Sequence, residues 1–250
     1  MKKLFSICSF LCLSLAACAA EPLDETRAPD EETFDEIDSE LHNGNVTFVR
    51  PEVGVLITAQ NKLACTGTLV APNVVLTAGH CTGPSALFLM KKSATEKFIA
   101  YTVIQKMNWG PAPGEQDFGL LRLNKNVPAT YAKPAVLSKV PFVKDAKGNV
   151  FGYGMLRCDQ GGAVAPDFNK RVKPITIAVA SNTQLVPFGQ YSMCPGDSGG
   201  PLFINGQLAA VISGGNQPVP VGGVVKEIWA DVADDYAAIK AQVDKWDAMM

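Results

Sequence analysis

Between Cys194 and Pro201 the chain runs Cys-Pro-Gly-Asp-Ser-Gly-Gly-Pro, which confines one serine to a glycine-rich turn with an acid immediately before it. Glycine takes backbone conformations closed to other residues and lets a substrate carbonyl come close, so that N–H groups and the Ser198 hydroxyl can converge on it. A serine alone is a poor nucleophile and needs a base. The chain has only two histidines, His42 and His80. His80 follows Asn73-Val74-Val75-Leu76, an apolar run that reads as a buried strand, and it stands beside Cys81. Serine chemistry also calls for a buried acid to fix the imidazole tautomer and stabilise the imidazolium. Asp117 opens Asp-Phe-Gly-Leu-Leu-Arg-Leu, an acid leading into an apolar strand, where a histidine partner relieves the cost of burying a carboxylate.

These three segments, Thr77–Cys81, Asp117–Leu121 and Gly196–Pro201, resemble the histidine, aspartate and serine motifs of the trypsin/chymotrypsin-like serine proteases, in that family's order and in the manner of its secreted bacterial members. The resemblance spans residues 41 to 232. It implies an all-β fold of two antiparallel six-stranded barrels with the active site between them, the first over about 41–136, the second over about 142–230, and a C-terminal helix over about 232–247. It implies a serine-type endopeptidase in which Ser198 is nucleophile, His80 general base and Asp117 its orienting acid, with the amides of Gly196 and Ser198 as oxyanion hole. No metal and no organic cofactor is called for. Ser192, Ser213, Gly214 and Gly215 fall where the family binds substrate. Ser192 stands where trypsin-like members carry an aspartate, which favours apolar or aromatic side chains; Gly214 removes an aromatic from the peptide-binding wall. Lys226 and Glu227 read as solvated strand-edge charges, although Glu227 lies near the pocket back and could restore a basic preference.

Seven cysteines are present. Cys8 and Cys12 fall in an N-terminal apolar run, Cys18 ends it, and Cys65, Cys81, Cys158 and Cys194 remain, a set that permits three pairings. The resemblance implies Cys65 with Cys81, which leaves Cys158 with Cys194, a departure from the commonest family arrangement. Neither the spacings nor a spare histidine suits zinc.

Lys2-Lys3 followed by the apolar run Leu4–Ala17 has the parts of an export signal over residues 1–18, too short to span a bilayer comfortably. Leu15-Ala16-Ala17-Cys18 resembles a lipobox, making Cys18 a lipidation candidate; ordinary cleavage near Ala20 would give a soluble exported product. Residues 19–40 carry ten acids against the single base Arg27, a composition that cannot bury a core and reads as an acidic propeptide or linker. The whole chain stands at −2, this segment at −9 and residues 41–250 at +5, too diffuse a charge to point to nucleic acid. Leu41 occupies the place where activated family members begin. The expectation is a zymogen cut between Glu40 and Leu41 by an activating protease, the new amino group pairing with Asp197. If Cys18 is lipidated, that cut would release the enzyme from the membrane.

The remaining sequence reads as short strands: Val53–Thr58, Thr66–Val70, Phe98–Ile104, Val150–Gly154, Ile175–Ala180 and Leu208–Ser213, punctuated by Gly, Pro and Asn. At the end, Tyr236, Ile239, Val243 and Trp246 recur at helical spacing after the capping candidates Asp231 and Asp234. The expected partner is a protein or peptide substrate, and the expected state a monomer. Two other readings stand beside this one. A catalytically inactive protease homologue serving in binding or adhesion would usually have lost a member of the triad; an esterase would carry a strand-to-helix nucleophile elbow and the order Ser-Asp-His.

Overall fold

The computed structural model describes residues 44–110, 116–159, 162–177, 184–185, 193–215 and 227–249. A two-residue strand, β1 (Asn45–Val46), leads into β2 (Val53–Ile57), β3 (Leu63–Ala71) and β4 (Val74–Thr77). One helical turn, α1 (Gly79–Thr82), precedes β5 (Leu87–Met90), β6 (Ile99–Asn108) and β7 (Gly119–Leu123). Strands β2 to β7 close into an antiparallel barrel in the order β2-β3-β4-β7-β6-β5. Val-Gly-Val-Leu-Ile of β2 is buried at every position, and β2 also touches the second half of the protein, so both its faces are covered. That double burial explains a continuous apolar run in place of alternation.

The second half contributes β8 (Lys147–Gly152), β9 (Arg157–Asp159), β10 (Gly162–Val164), β11 (Arg171–Thr176), β12 (Gln184–Leu185), β13 (Pro201–Ile204), β14 (Gln207–Gly215) and β15 (Glu227–Asp231). Strands β9 and β10 form a ribbon of their own. In place of six strands, the described residues form a seven-stranded sheet ordered β1-β11-β8-β13-β14-β15-β12. Strand β1 accounts for the addition, pairing Asn45 with Val172 and Val46 with Arg171. The strand expected at Ile175–Ala180 instead starts at Arg171, and 178–180 lie outside the described residues. Pro174 reads as punctuation in the sequence, but β11 tolerates it because its pairing with β1 ends at Val172 and Pro174 sits at an edge.

Phe142, Val150, Ile177, Met193, Leu202, Ala210, Ile212 and Trp229 form the core of this sheet. A larger cluster fills the barrel and continues across the junction through Phe151, Tyr153 and Phe203. Burying each such side chain stabilises the fold by roughly 1.5–3 kcal/mol relative to leaving it in water. The linker between the halves is stitched to β14: Ser138 N donates to Leu208 O and Leu208 N to Val136 O.

The terminal helix, α2 (Tyr236–Asp247), buries Ile239, Val243 and Trp246 against β3, β4 and β7. It begins four residues later than the sequence suggests, and neither Asp231 nor Asp234 caps it: Asp235 holds the cap position without a side-chain bond. Asp231 is committed elsewhere, accepting from Phe142 N at 3.3 Å and Ala233 N at 2.8 Å.

Candidate active site

Strand pairing brings the histidine and aspartate segments together. In β4 and β7, Leu76 faces Leu120 and Thr77 faces Gly119, so the residues just after β4 and just before β7 share one end of the barrel. His80 sits in α1, one helical turn beyond the strand end, and Gly79 N donates to Asp117 O at 3.1 Å. The carboxylate of Asp117, fully buried, grips His80 twice: the His80 backbone amide donates to Oδ1 at 2.9 Å and ring Nδ1 lies 2.7 Å from Oδ2. A carboxylate only accepts, so Nδ1 carries the proton, and in the neutral ring Nε2 is left as the base. Ser213 Oγ donates to the same Oδ2 at 2.7 Å.

The serine loop meets this pair across the junction. Ser198 is half-buried; Thr66 N donates to its carbonyl at 2.8 Å, and Cys81 Sγ, next in sequence to His80, lies 3.7 Å from that carbonyl. Gly196 at φ +100° and Gly199 at φ +80° occupy the left-handed region that favours glycine. Within the loop, Asp197 N donates to Cys194 O and Gly200 N to Asp197 O, both at 2.9 Å, while Met155 N donates to Pro195 O at 3.0 Å. A trans peptide points its C=O and N–H in opposite directions. The Pro195 and Asp197 carbonyls are engaged, so the amides that follow them, Gly196 N and Ser198 N, point the other way; among the described residues neither meets an acceptor.

Asp197 is buried beneath the loop, where Gly154 N donates to Oδ1 at 2.7 Å and Cys194 N to Oδ2 at 2.9 Å. Burial pushes its carboxyl up to about 6, against the pull of the two amides and the charge of Arg171. A side chain at Gly154 would strike this carboxylate, with a Cβ only 2.5 Å from Cγ. Disulfides join Cys65 to Cys81 and Cys158 to Cys194, with Cα separations of 6.0 and 5.6 Å. The first anchors β3 to the His80 turn, and the second ties β9 to the entry of the serine loop. Cys65, His80 and Cys81 cluster as metal ligands would, but the two sulfurs are bonded to each other and offer no thiolate.

The family model for trypsin matches residues 47–229. The chain belongs to the trypsin family. A trypsin from Saccharopolyspora erythraea is 29% identical over 187 residues, which cover 66% of this chain and 81% of that one. Snake venom serine protease 2C from Craspedocephalus gramineus is 28% identical over 182 residues, 62% of this chain and 68% of that one. Among solved structures, neuropsin, a serine protease expressed in the limbic system of mouse brain, superimposes with a TM-score of 0.65 at 20% identity, covering 80% of this chain and 97% of its own. HBP does so with a TM-score of 0.66 at 17% identity, covering 80% and 95%. These two speak for the fold.

In this trypsin-family chain, the sequence placed Ser213 among substrate-binding residues and missed its bond to Asp117. Gly214 and Gly215 lie on β14 opposite Ile228 and Glu227 of β15. Glu227 is not a solvated edge charge: it is 3% exposed. Successive strand residues alternate faces, so Glu227 shares a face with Trp229, which belongs to the core that also holds Met193. Strand β15 lies inside the sheet, flanked by β14 and β12, which covers a residue that reads as an edge in sequence. Ser192, Lys226, Leu41 and Cys18 lie outside the described residues.

Proposed function

We propose that this trypsin-family protein is a serine endopeptidase working through His80, Asp117 and Ser198. The observation that carries the reading is the pairing of His80 Nδ1 with buried Asp117 at 2.7 Å, on the side of the junction where the Ser198 loop is pinned. Ser198 Oγ attacks the peptide carbonyl as His80 Nε2 takes its proton; Asp117 keeps the ring in the required tautomer and stabilises the imidazolium. The amides of Gly196 and Ser198 hold the oxyanion. His80 then gives its proton to the leaving amine, the C–N bond breaks, and water repeats the cycle on the acyl-enzyme, returning Ser198 and a carboxylic acid. Replacing Ser198 with Ala abolishes turnover and leaves the melting temperature within about 2 °C; retained hydrolysis in the folded variant refutes the assignment.

The same reading includes activation. Asp197 is a buried carboxylate held by two amides, and a cation beside it would offset the desolvation that raises its pKa. A cut between Glu40 and Leu41 supplies such a cation as the Leu41 α-amino group, four residues before β1 is seated on β11. Export, lipidation of Cys18 and release on cutting belong to this proposal, and N-terminal sequencing of the active form tests them together. An active form that begins before Leu41 removes activation by cutting.

For primary specificity, the burial of Glu227 outweighs the neutral Ser192. Residues directly opposite in an antiparallel pair share a face, and Gly215, opposite Glu227, brings no side chain to it. A carboxylate there, on the strand next to the substrate-binding one, selects lysine or arginine side chains.

A further inference from the structure

Thr66 belongs to β3 of the barrel and is fully buried, yet it makes more bonds to the serine loop than any catalytic candidate does. Its hydroxyl donates to Gly196 O at 2.9 Å and its amide to Ser198 O at 2.8 Å. The same hydroxyl accepts from Tyr153 N at 3.0 Å, and its carbonyl accepts from Thr77 Oγ1 at 2.8 Å. The direction of each bond is fixed by chemistry. Gly196 O can only accept and Tyr153 N can only donate, so the single hydroxyl proton of Thr66 points at the loop and a lone pair faces Tyr153.

The loop alternates two kinds of peptide. The Pro195–Gly196 and Asp197–Ser198 peptides have their carbonyls engaged and their amides free of described acceptors. The Gly196–Asp197 and Ser198–Gly199 peptides are bonded at both ends: their amides go to Cys194 O and Ile212 O, and their carbonyls go to Thr66. Thr66 therefore holds the two peptides that bracket the Asp197–Ser198 amide. Turning either free amide away breaks the bond of its own carbonyl, Met155 N to Pro195 O or Gly200 N to Asp197 O, and Thr66 fixes the neighbouring peptides that set where those amides sit.

We propose that Thr66 is the positioning residue of the oxyanion hole: its hydroxyl and amide clamp the Gly196 and Ser198 carbonyls, which holds the Gly196 and Ser198 amides facing the cleft. The clamp also couples three parts of the site. Tyr153 precedes Gly154, whose amide holds Asp197, and Thr77 ends the strand that leads to His80. The close approach needs Gly199, where a side chain would run into Thr77 Oγ1 and Thr66 O. Nothing in the sequence marked this threonine, which reads as one β-branched residue in a strand.

The inference rests on the serine-protease reading above, and the experiment separates the two. In the activated protein, Thr66→Val keeps the side-chain shape and removes the hydroxyl, while Thr66→Ser keeps the hydroxyl and removes the methyl. Removing a direct oxyanion donor costs about 100- to 1,000-fold in kcat. Loosening one through its support should cost about tenfold or more, with KM changed less than about threefold, because the interaction is made in the transition state. A peptidyl boronate, which mimics the tetrahedral state, should bind Thr66→Val more weakly by the same factor as the loss in kcat. Thr66→Ser should restore both to within about threefold of the parent. Valine activity equal to the parent overturns the proposal, and so does a serine variant as slow as the valine one, since packing would then be the cause. If Thr66→Val does not fold, Thr66→Ala takes its place against Thr66→Ser under the same criteria. A parent that neither turns over peptides nor binds boronate sinks the protease reading instead.

Discussion

Ser213 and Asp117, 96 positions apart, are joined by a 2.7 Å hydrogen bond from Ser213 Oγ to Asp117 Oδ2, the oxygen that also faces the His80 ring. The second half of the protein thereby reaches into the first and touches the carboxylate that orients the histidine. A donor to a buried carboxylate is worth about 1.5–3 kcal/mol. Ser213→Ala is expected to lower kcat/KM by roughly tenfold and to destabilise the protein by a similar free energy, about 1–2 kcal/mol. Steady-state kinetics with thermal melts checks this, and an unchanged kcat/KM would count against the role.

Asp197 gives the uncut chain a characteristic pH response. Burial pushes its folded carboxyl up to about 6 from the 3.8 ordinary for an aspartate, so between these values the folded state holds more protons than the unfolded state. Stability therefore falls as pH rises from about 4 to about 6, by on the order of 3 kcal/mol from this group. Asp231, also pushed up to about 6 by burial, adds a fall of the same sign. The informative quantity is accordingly the difference between uncut Ser198→Ala protein and the same protein carrying Asp197→Asn. The asparagine variant should lack part of the decline. Superimposable melting curves from pH 4 to pH 7 would contradict the burial argument.

The Cys158–Cys194 bridge closes a loop with a sequence separation of 36. Loop-closure entropy assigns such a bridge on the order of 4 kcal/mol. Replacing both cysteines by alanine should lower the melting temperature by roughly 8–16 °C. Activity measured well below that temperature should also fall, because Cys194 N holds Asp197 Oδ2. Unchanged kcat/KM in the folded double variant would show that the bridge does not act on the loop.

The proposed specificity rests on the burial of Glu227. Peptide substrates with Arg or Lys at the primary position should be cleaved at least tenfold better, in kcat/KM, than those with Phe or Leu, a margin of about 1.4 kcal/mol. Glu227→Gln should erase that margin. A parent enzyme that prefers Phe would return the assignment to Ser192.

What could be read from the sequence was whatever is local to a few residues. Gly196–Gly200 announces a turn, Asn73–Leu76 a strand that leads to the histidine, and Asp117 an acid entering another; the strand is found one residue on, at Val74–Thr77. The spacing of Tyr236, Ile239, Val243 and Trp246 likewise marked the inward face of the helix, with Tyr236 half-buried and the other three buried. Features made by long-range pairing were not legible. Asp231 looked like a helix cap because its partner Phe142 is 89 positions away. Glu227 looked solvated because nothing local reveals that β15 is flanked on both sides. The clamp of Thr66 on Gly196 spans 130 positions and depends on how the two halves meet.

The most direct test of Ser198 as nucleophile is to label the activated protein with a fluorophosphonate and locate the adduct by peptide mass spectrometry. One adduct is expected, on Ser198 Oγ, lost in Ser198→Ala and strongly slowed in His80→Ala. No adduct on the folded, cut protein, or an adduct on another residue, would contradict it and favour a binding module built on a protease fold.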